Sequence, residues 1–185
     1  LGKNVYVGDL LFNTKDIWNF KNSIKSIFPD VFNSGNGFDV VITNPPYRLL
    51  KATSNHFDDE SIKAEQALNK EIVYHIKRTS SYQFANEGTL NYYKLFVEEM
   101  MENYSSHNGI VGILVPITLL SDKYTSKLRK RILEYKTTLI KTIPESNGYF
   151  PDITQSFCHF AINKSKRYDK VDILARNGDE QIVSI

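Results

Sequence analysis

Hydrophobic and polar positions change period several times along the chain, and each change marks an element. In "NVYVGDLLF" (4–12), β-branched and aromatic residues alternate up to Gly8, which predicts a strand ending there. "TKDIWNFKNSIKSIF" (14–28) sets Ile17, Phe20, Ile24 and Ile27 at helical spacing, and Pro29 is expected to close that helix. "NSGNG" (33–37) reads as a turn, and "FDVVIT" (38–43) as a short apolar strand covered on both faces.

From 49 to 88 the pattern turns polar, with no strong apolar face, and reads as an excursion that is helical within 60–78. "TLNYYKLFVEEMMENYSS" (89–106) restores a firm helical stripe of Leu90, Tyr93, Phe96, Val97, Met100, Met101 and Tyr104, of the kind that faces a core. "HNGIVGILVPITLL" (107–120) predicts a turn and then a buried strand stopped by Pro116. Next come a helix over 122–136, a strand over 137–145, a loop at 147–152 and a strand over 154–165. A hairpin turning at Asn177-Gly178 closes the chain over 170–185. Strand and helix alternate, so the expected fold is α/β, with a mostly parallel sheet and helices on both faces. In such sheets ligands sit at the carboxyl ends of strands, where Asp9, Asn44–Tyr47 and Pro116 all fall.

Composition changes this picture little. The chain has 185 residues, enough for one domain, and 41% hydrophobic with 24% charged residues marks a globular sequence. Cys158 is the only cysteine, so no disulfide can form within the chain, which fits a reducing, cytoplasmic setting. The four histidines are scattered, without metal-ligand spacing. No apolar run approaches the roughly 18 residues of a membrane span. Net charge is only +2, so there is no general basic footprint for a polyanion. Lys and Arg do cluster at 123–131 and 163–170, either as solvated surface or as phosphate contacts.

The chemistry concentrates where strand 38–43 runs into "NPPY". Asn-Pro can be plain punctuation, because proline has no N–H for the ladder. It can also be a site for a planar ring with an exocyclic amine, whose lone pair is tied up by conjugation. Two acceptors out of the ring plane, Asn44 Oδ1 and the Pro45 carbonyl, would take both N–H bonds and free that lone pair. Pro45 and Pro46 stiffen the turn, and Tyr47 offers a flat face for the ring. Positioning and electrostatics would then carry most of the barrier reduction. Asp9, just past a strand end, can accept from a ligand amine or simply cap a turn.

Strand–"NPPY" resembles the catalytic motif of S-adenosylmethionine-dependent amino methyltransferases, chiefly the DNA adenine-N6 methyltransferases of restriction–modification systems. The likeness runs from about Val5 to Lys166 and includes "NGIVGILVP" and "FPDITQSFCHFAINKS". It implies a Rossmann-like class I methyltransferase sheet and S-adenosylmethionine as cofactor. Asp9 and Leu10 would contact the cofactor, with Asn44 and Pro46 beside it. Asn44 and the Pro45 carbonyl would hold the amine, and Tyr47 and Phe160 would stack on the base. Phe157 is the runner-up to Phe160; the two fall on opposite faces of their strand, so one alone can serve, and both can simply be core. The partner implied is double-stranded DNA with a flipped adenine, with an endonuclease or specificity partner fused or separate, and no membrane.

The sequence departs from the family by lacking its Gly-rich loop, and it starts at Leu1 without Met. The expectation is a C-terminal part of the catalytic domain, lacking the first strands and inactive by itself. Two other readings stay open. One keeps the chemistry on protein glutamine or an RNA base. The other is a non-catalytic nucleic-acid-binding subunit with a decayed methyltransferase fold.

Overall fold

The computed structural model of the chain describes residues 24, 26–34, 36–50, 60–79, 81–144, 155–167, 170–174 and 180–184. The expected strand 4–12 lies outside these residues, and with it Asp9 and Leu10; so does most of the expected helix 14–28. Phe28 N donates to Ile24 O at 3.0 Å, ending a helical turn. Pro29 then opens a second short helix, α1 (Pro29–Phe32), instead of only closing the first. The reason is local: at the first helical position the missing N–H costs nothing and the fixed φ suits a helix.

The turn after α1 ends at Gly37, whose φ of +85° favours glycine. A Cβ there would also lie 2.8 Å from the Tyr104 carbonyl oxygen. That close approach sets strand β1 (Phe38–Thr43) beside strand β2 (Ser105–Pro116). The two run parallel, with Val41 opposite Val111 and Thr43 opposite Ile113. The "HNG" segment does not form a separate turn. It is absorbed into β2 as an irregularity, since Phe38 pairs with Ser105 but Val40 already pairs with Ile110.

Helix α2 (Glu60–Thr79) lies within the 49–88 excursion. Its Ile72 and Ile76 are fully buried, so it has an inner edge that its polar sequence hides. Helix α3 (Tyr92–Glu99) continues through a wider π turn (Met100–Tyr104) into β2. All seven stripe residues from Leu90 to Tyr104 are buried. Burial of each large apolar side chain contributes about 1.5–3 kcal/mol. After β2 come the one-turn helix α4 (Thr118–Ser121), helix α5 (Ser126–Leu133), and strands β3 (Tyr135–Ile143) and β4 (Phe157–Arg167). Strands β5 (Lys170–Leu174) and β6 (Glu180–Ser184) follow and pair antiparallel.

The sheet order is β1-β2-β4-β3-β5-β6. Strand β4 inserts antiparallel between β2 and β3, and β5 runs parallel to β3. Four of the six described strands, β1, β2, β3 and β5, therefore point the same way. One face of the sheet carries Val111, Ile113 and Val115 of β2 and Cys158, Phe160 and Ile162 of β4, in register. These join one core cluster with Leu95, Val97 and Met101. The other face of β1 is open: Val40 is 59% and Ile42 83% exposed, against the expectation of cover on both sides. An unbroken apolar run fits cover on both faces, and the described residues supply it on one. Among the described residues no helix is long and apolar enough to cross a membrane.

Candidate functional site

Strand β1 gives way to Asn44-Pro45-Pro46-Tyr47 at its carboxyl end, where two prolines in succession leave no N–H for the ladder. Pro45 is buried, Asn44 and Pro46 are exposed, and Tyr47 is half-buried. The segment is held from both sides. Downstream, Tyr92 N donates to Arg48 O and Leu50 N to Leu90 O, each at 2.9 Å. Asn91 closes the arrangement: its Oδ1 accepts from Tyr93 N at 3.1 Å, capping α3, while its Nδ2 donates to the Tyr47 carbonyl at 3.4 Å.

The Tyr47 hydroxyl donates to Asn44 Oδ1, with the Leu114 carbonyl oxygen of β2 3.2 Å away as a second acceptor. Burial, with a smaller contribution from Cys158, pushes the Tyr47 phenol up to about 12, so it keeps its proton and remains a donor at neutral pH. The ring of Tyr47 lies against Phe157, with centroids 5.2 Å apart and planes inclined at 39°. Phe157 starts β4 opposite Pro116, and Ile117 N donates to Ser156 O at 3.0 Å, so β2 fixes where that ring stands.

The structure does not bring Phe160 to this segment. It pairs with Ile113 on the core face and is 3% exposed. Side chains alternate along a strand, so Phe157, an odd number of residues away, takes the opposite face and meets Tyr47. Asn44, Pro45, Pro46 and Tyr47 are brought together as the sequence suggests, whereas Asp9 and Leu10 lie outside the described residues. Sequence reasoning missed Asn91, although an Asn directly before an apolar helical stripe is a readable N-cap signal.

Some members of the basic clusters hold the fold, while Lys123, Lys130 and Lys166 are exposed. Arg131 grips Glu102 through Nε and Nη2 at 2.8 and 2.9 Å, and its guanidinium lies over the Tyr135 ring. Arg129 donates to the Leu119 carbonyl at 2.8 Å, and Lys127 pairs with Glu87 at 3.0 Å. In the later cluster Lys164 turns inward to Ser105 Oγ at 3.0 Å and to the Met101 carbonyl. Burial lowers its affinity for a proton. Among the described residues no group of three His, Cys, Asp or Glu is placed to hold a metal ion.

An amide oxygen beside an aromatic ring at a strand's carboxyl end can hold a planar amine. The hydroxyl of Tyr47 occupies the oxygen that such an amine would use, so binding there requires the Tyr47–Asn44 bond to open.

Comparison with known proteins gives the family and the fold. Residues 3–150 match the family model described as Eco57I restriction-modification methylase. None of the curated proteins matches the chain in sequence. Among solved structures, a DrdV–DNA complex aligns with a TM-score of 0.53 and 18% identity, covering 92% of this chain and 17% of that one. A nuclease-deletion mutant of the Type ISP restriction-modification enzyme LlaGI, in complex with a DNA substrate mimic, aligns at 0.51 with 13% identity, covering 99% and 17%. A modification subunit assigned to a type I restriction enzyme of Vibrio vulnificus YJ016 aligns at 0.46 with 17% identity, covering 80% and 28%. At such low identity the first two show the fold alone. The chain spans less than a third of the length of each of the three.

Proposed function

The chain belongs to the Eco57I restriction-modification methylase family, and from that premise we propose that its site serves transfer of a methyl group from S-adenosylmethionine to the N6 amine of adenine in DNA. The observation that carries the reading is the hydrogen bond from the Tyr47 hydroxyl to Asn44 Oδ1, which sets an amide oxygen beside an aromatic ring at the carboxyl end of β1. A target adenine leaves the duplex stack and lies against Tyr47, which contributes roughly 1–3 kcal/mol by stacking. Its amine displaces the Tyr47 hydroxyl from Asn44 Oδ1. The Pro45 carbonyl takes the second N–H, and the nitrogen lone pair turns out of the ring plane. Phe157, packed against Tyr47, keeps that ring from swinging away from the base.

Asn44 and Pro46 are the proposed contacts beside the cofactor, and both are exposed at the end of β1, a polar and an apolar group side by side. Asp9 and Leu10 are the proposed contacts to the cofactor's adenine end. When bound, S-adenosylmethionine supplies an electrophilic methyl group on a sulfonium. Asn44 is no base; it would act by orienting the amine and stabilising the charge that develops on nitrogen. As the S–CH3 bond breaks and the N–CH3 bond forms, the nitrogen would shed its proton to water at this exposed site. An endonuclease or specificity partner, in the same chain or a separate one, belongs to the same proposal.

Asn44→Ala in the intact protein tests the assignment. Transfer to DNA falls by about 10²–10³-fold or more, the loss expected for one electrostatic contact to the reacting atom. Cofactor affinity, measured by calorimetry, stays within a few-fold. Methylation near the wild-type rate in this variant contradicts the mechanism.

A further inference from the structure

A second surface stands next to this site. Three residues beyond Tyr47, Leu50 forms part of a groove of about 630 Å³ whose other wall is α2. Leu50 and Val73 line it together with Asn69, Lys70, Tyr74, Lys77 and Arg78; most of the lining surface is apolar, and the charged groups belong to the side chains of α2. Three extended residues reach at most about 11 Å, so the groove begins within one or two nucleotide lengths of the candidate base site.

The charges of this groove differ from Lys127 and Arg131 of α5. Arg131 and Lys127 are neutralised by carboxylates, whereas Lys70, Lys77 and Arg78 make no ion pair among the described residues. Lys77 reaches only the Gly88 carbonyl, at 3.4 Å. Arg78 donates to the Tyr74 hydroxyl at 3.2 Å, and its guanidinium carbon lies 5.9 Å from that ring's centroid. Tyr74 itself is 63% exposed, costly for an aromatic ring with no role. Cations in the last turn of a helix also complement its dipole, which accounts for Lys77 and Arg78 but not for Lys70, about two turns earlier. Glu71, the acidic residue nearest in sequence, lies about 100° further round the helix and does not line the groove. Lys70 and Lys77 are separated by about 10 Å along the helix axis, the rise of roughly three nucleotides of one B-form strand.

We propose that the groove between α2 and Leu50 binds the backbone of the DNA strand flanking the target base. Lys70, Lys77 and Arg78 contact phosphates, and Tyr74 packs against a sugar or base. Phosphate contacts fix register and orientation without reading sequence, the part needed to present one nucleotide to Asn44 and Tyr47. The inference rests on the reading of the site as a DNA methyltransferase.

The test uses the intact protein and a fluorescein-labelled duplex of mixed sequence, read by anisotropy between about 50 and 200 mM NaCl. For the Lys70→Gln/Lys77→Gln/Arg78→Gln triple variant, affinity falls at least about tenfold and the salt slope loses about two to three units. Lys70→Gln alone loses about one unit, which guards against a misfolded triple variant. Tyr74→Ala weakens binding about five-fold or more with the slope unchanged. Wild-type methylation of DNA, together with unchanged binding and slope in both Gln variants, overturns the groove assignment and leaves the proposed function standing. A wild-type protein that neither binds nor methylates DNA overturns both. Tighter binding of an acidic peptide than of DNA by the same lysines also overturns the assignment.

Discussion

That Asn44 and Tyr47 stand together was legible, because a strand ending in two prolines sets both at its carboxyl end, and the structure joins the Tyr47 hydroxyl to Asn44 Oδ1. Phe157 was less legible: strand period separates Phe157 from Phe160 but does not say which face meets Tyr47. Their separate roles can be divided by experiment. In Tyr47→Phe the ring stays and the hydroxyl that competes for Asn44 Oδ1 is gone, so kcat/KM for DNA holds or rises by a few-fold. In Tyr47→Ala the stacking face is lost, and kcat/KM falls by roughly 5- to 150-fold. Steady-state methylation kinetics on both variants check this pair of outcomes. Cys158 gives a test that is independent of catalysis. Burial pushes its thiol up to about 12, so the thiolate that reacts with disulfide reagents is scarce in the folded protein. At pH 8 the folded chain should resist Ellman's reagent, and the unfolded chain should react within seconds to minutes. The sign for stability follows: a raised pKa contributes stability below the ordinary thiol value of 9.0, and this is lost as pH rises towards about 12.

At the scale of elements, β1 falls on the residues its apolar run predicts, and α3 carries the stripe of Leu90 to Tyr104 into the core. What the pattern concealed was charge. Glu98 sits inside that helix, 5% exposed, and its carboxylate accepts from the backbone N–H of Gln83 at 2.7 Å, Phe84 at 3.1 Å and Ala85 at 2.7 Å. Burial raises its pKa, and the three backbone donors oppose that rise. A glutamate at a helix position normally reads as solvent-facing, and only the tertiary fold shows that it pins the loop between α2 and α3. Glu98→Ala leaves buried donors without partners and lowers stability by about 2–4 kcal/mol, whereas Glu98→Gln keeps an acceptor and costs less. Urea denaturation of the two variants decides; equal, small effects would remove the pinning role. Gly88 belongs to the same loop. With φ of +63° and the Tyr124 ring 2.5 Å from any added Cβ, Gly88→Ala should destabilise by more than about 1 kcal/mol.

For the whole molecule, the α/β class follows from the alternation of strands and helices, but the order β1-β2-β4-β3-β5-β6 does not. That order depends on β4 slipping antiparallel between β2 and β3, a pairing between residues about fifty apart in sequence that no local pattern announces. The insertion has a consequence for the site, because it is β4 that carries Phe157 to the end of β2 where Tyr47 waits. The exposure of Val40 and Ile42 on β1 was equally invisible, since an apolar residue does not say what will cover it. The central claim, amine methylation of DNA at the Asn44–Tyr47 site, is tested most directly by incubating the intact protein with unmodified DNA and methyl-labelled S-adenosylmethionine, digesting the DNA to nucleosides and identifying the labelled one. The account predicts label in N6-methyladenine, lost in Asn44→Ala. Label confined to RNA or to protein side chains, or cofactor binding with no label in DNA, would contradict it.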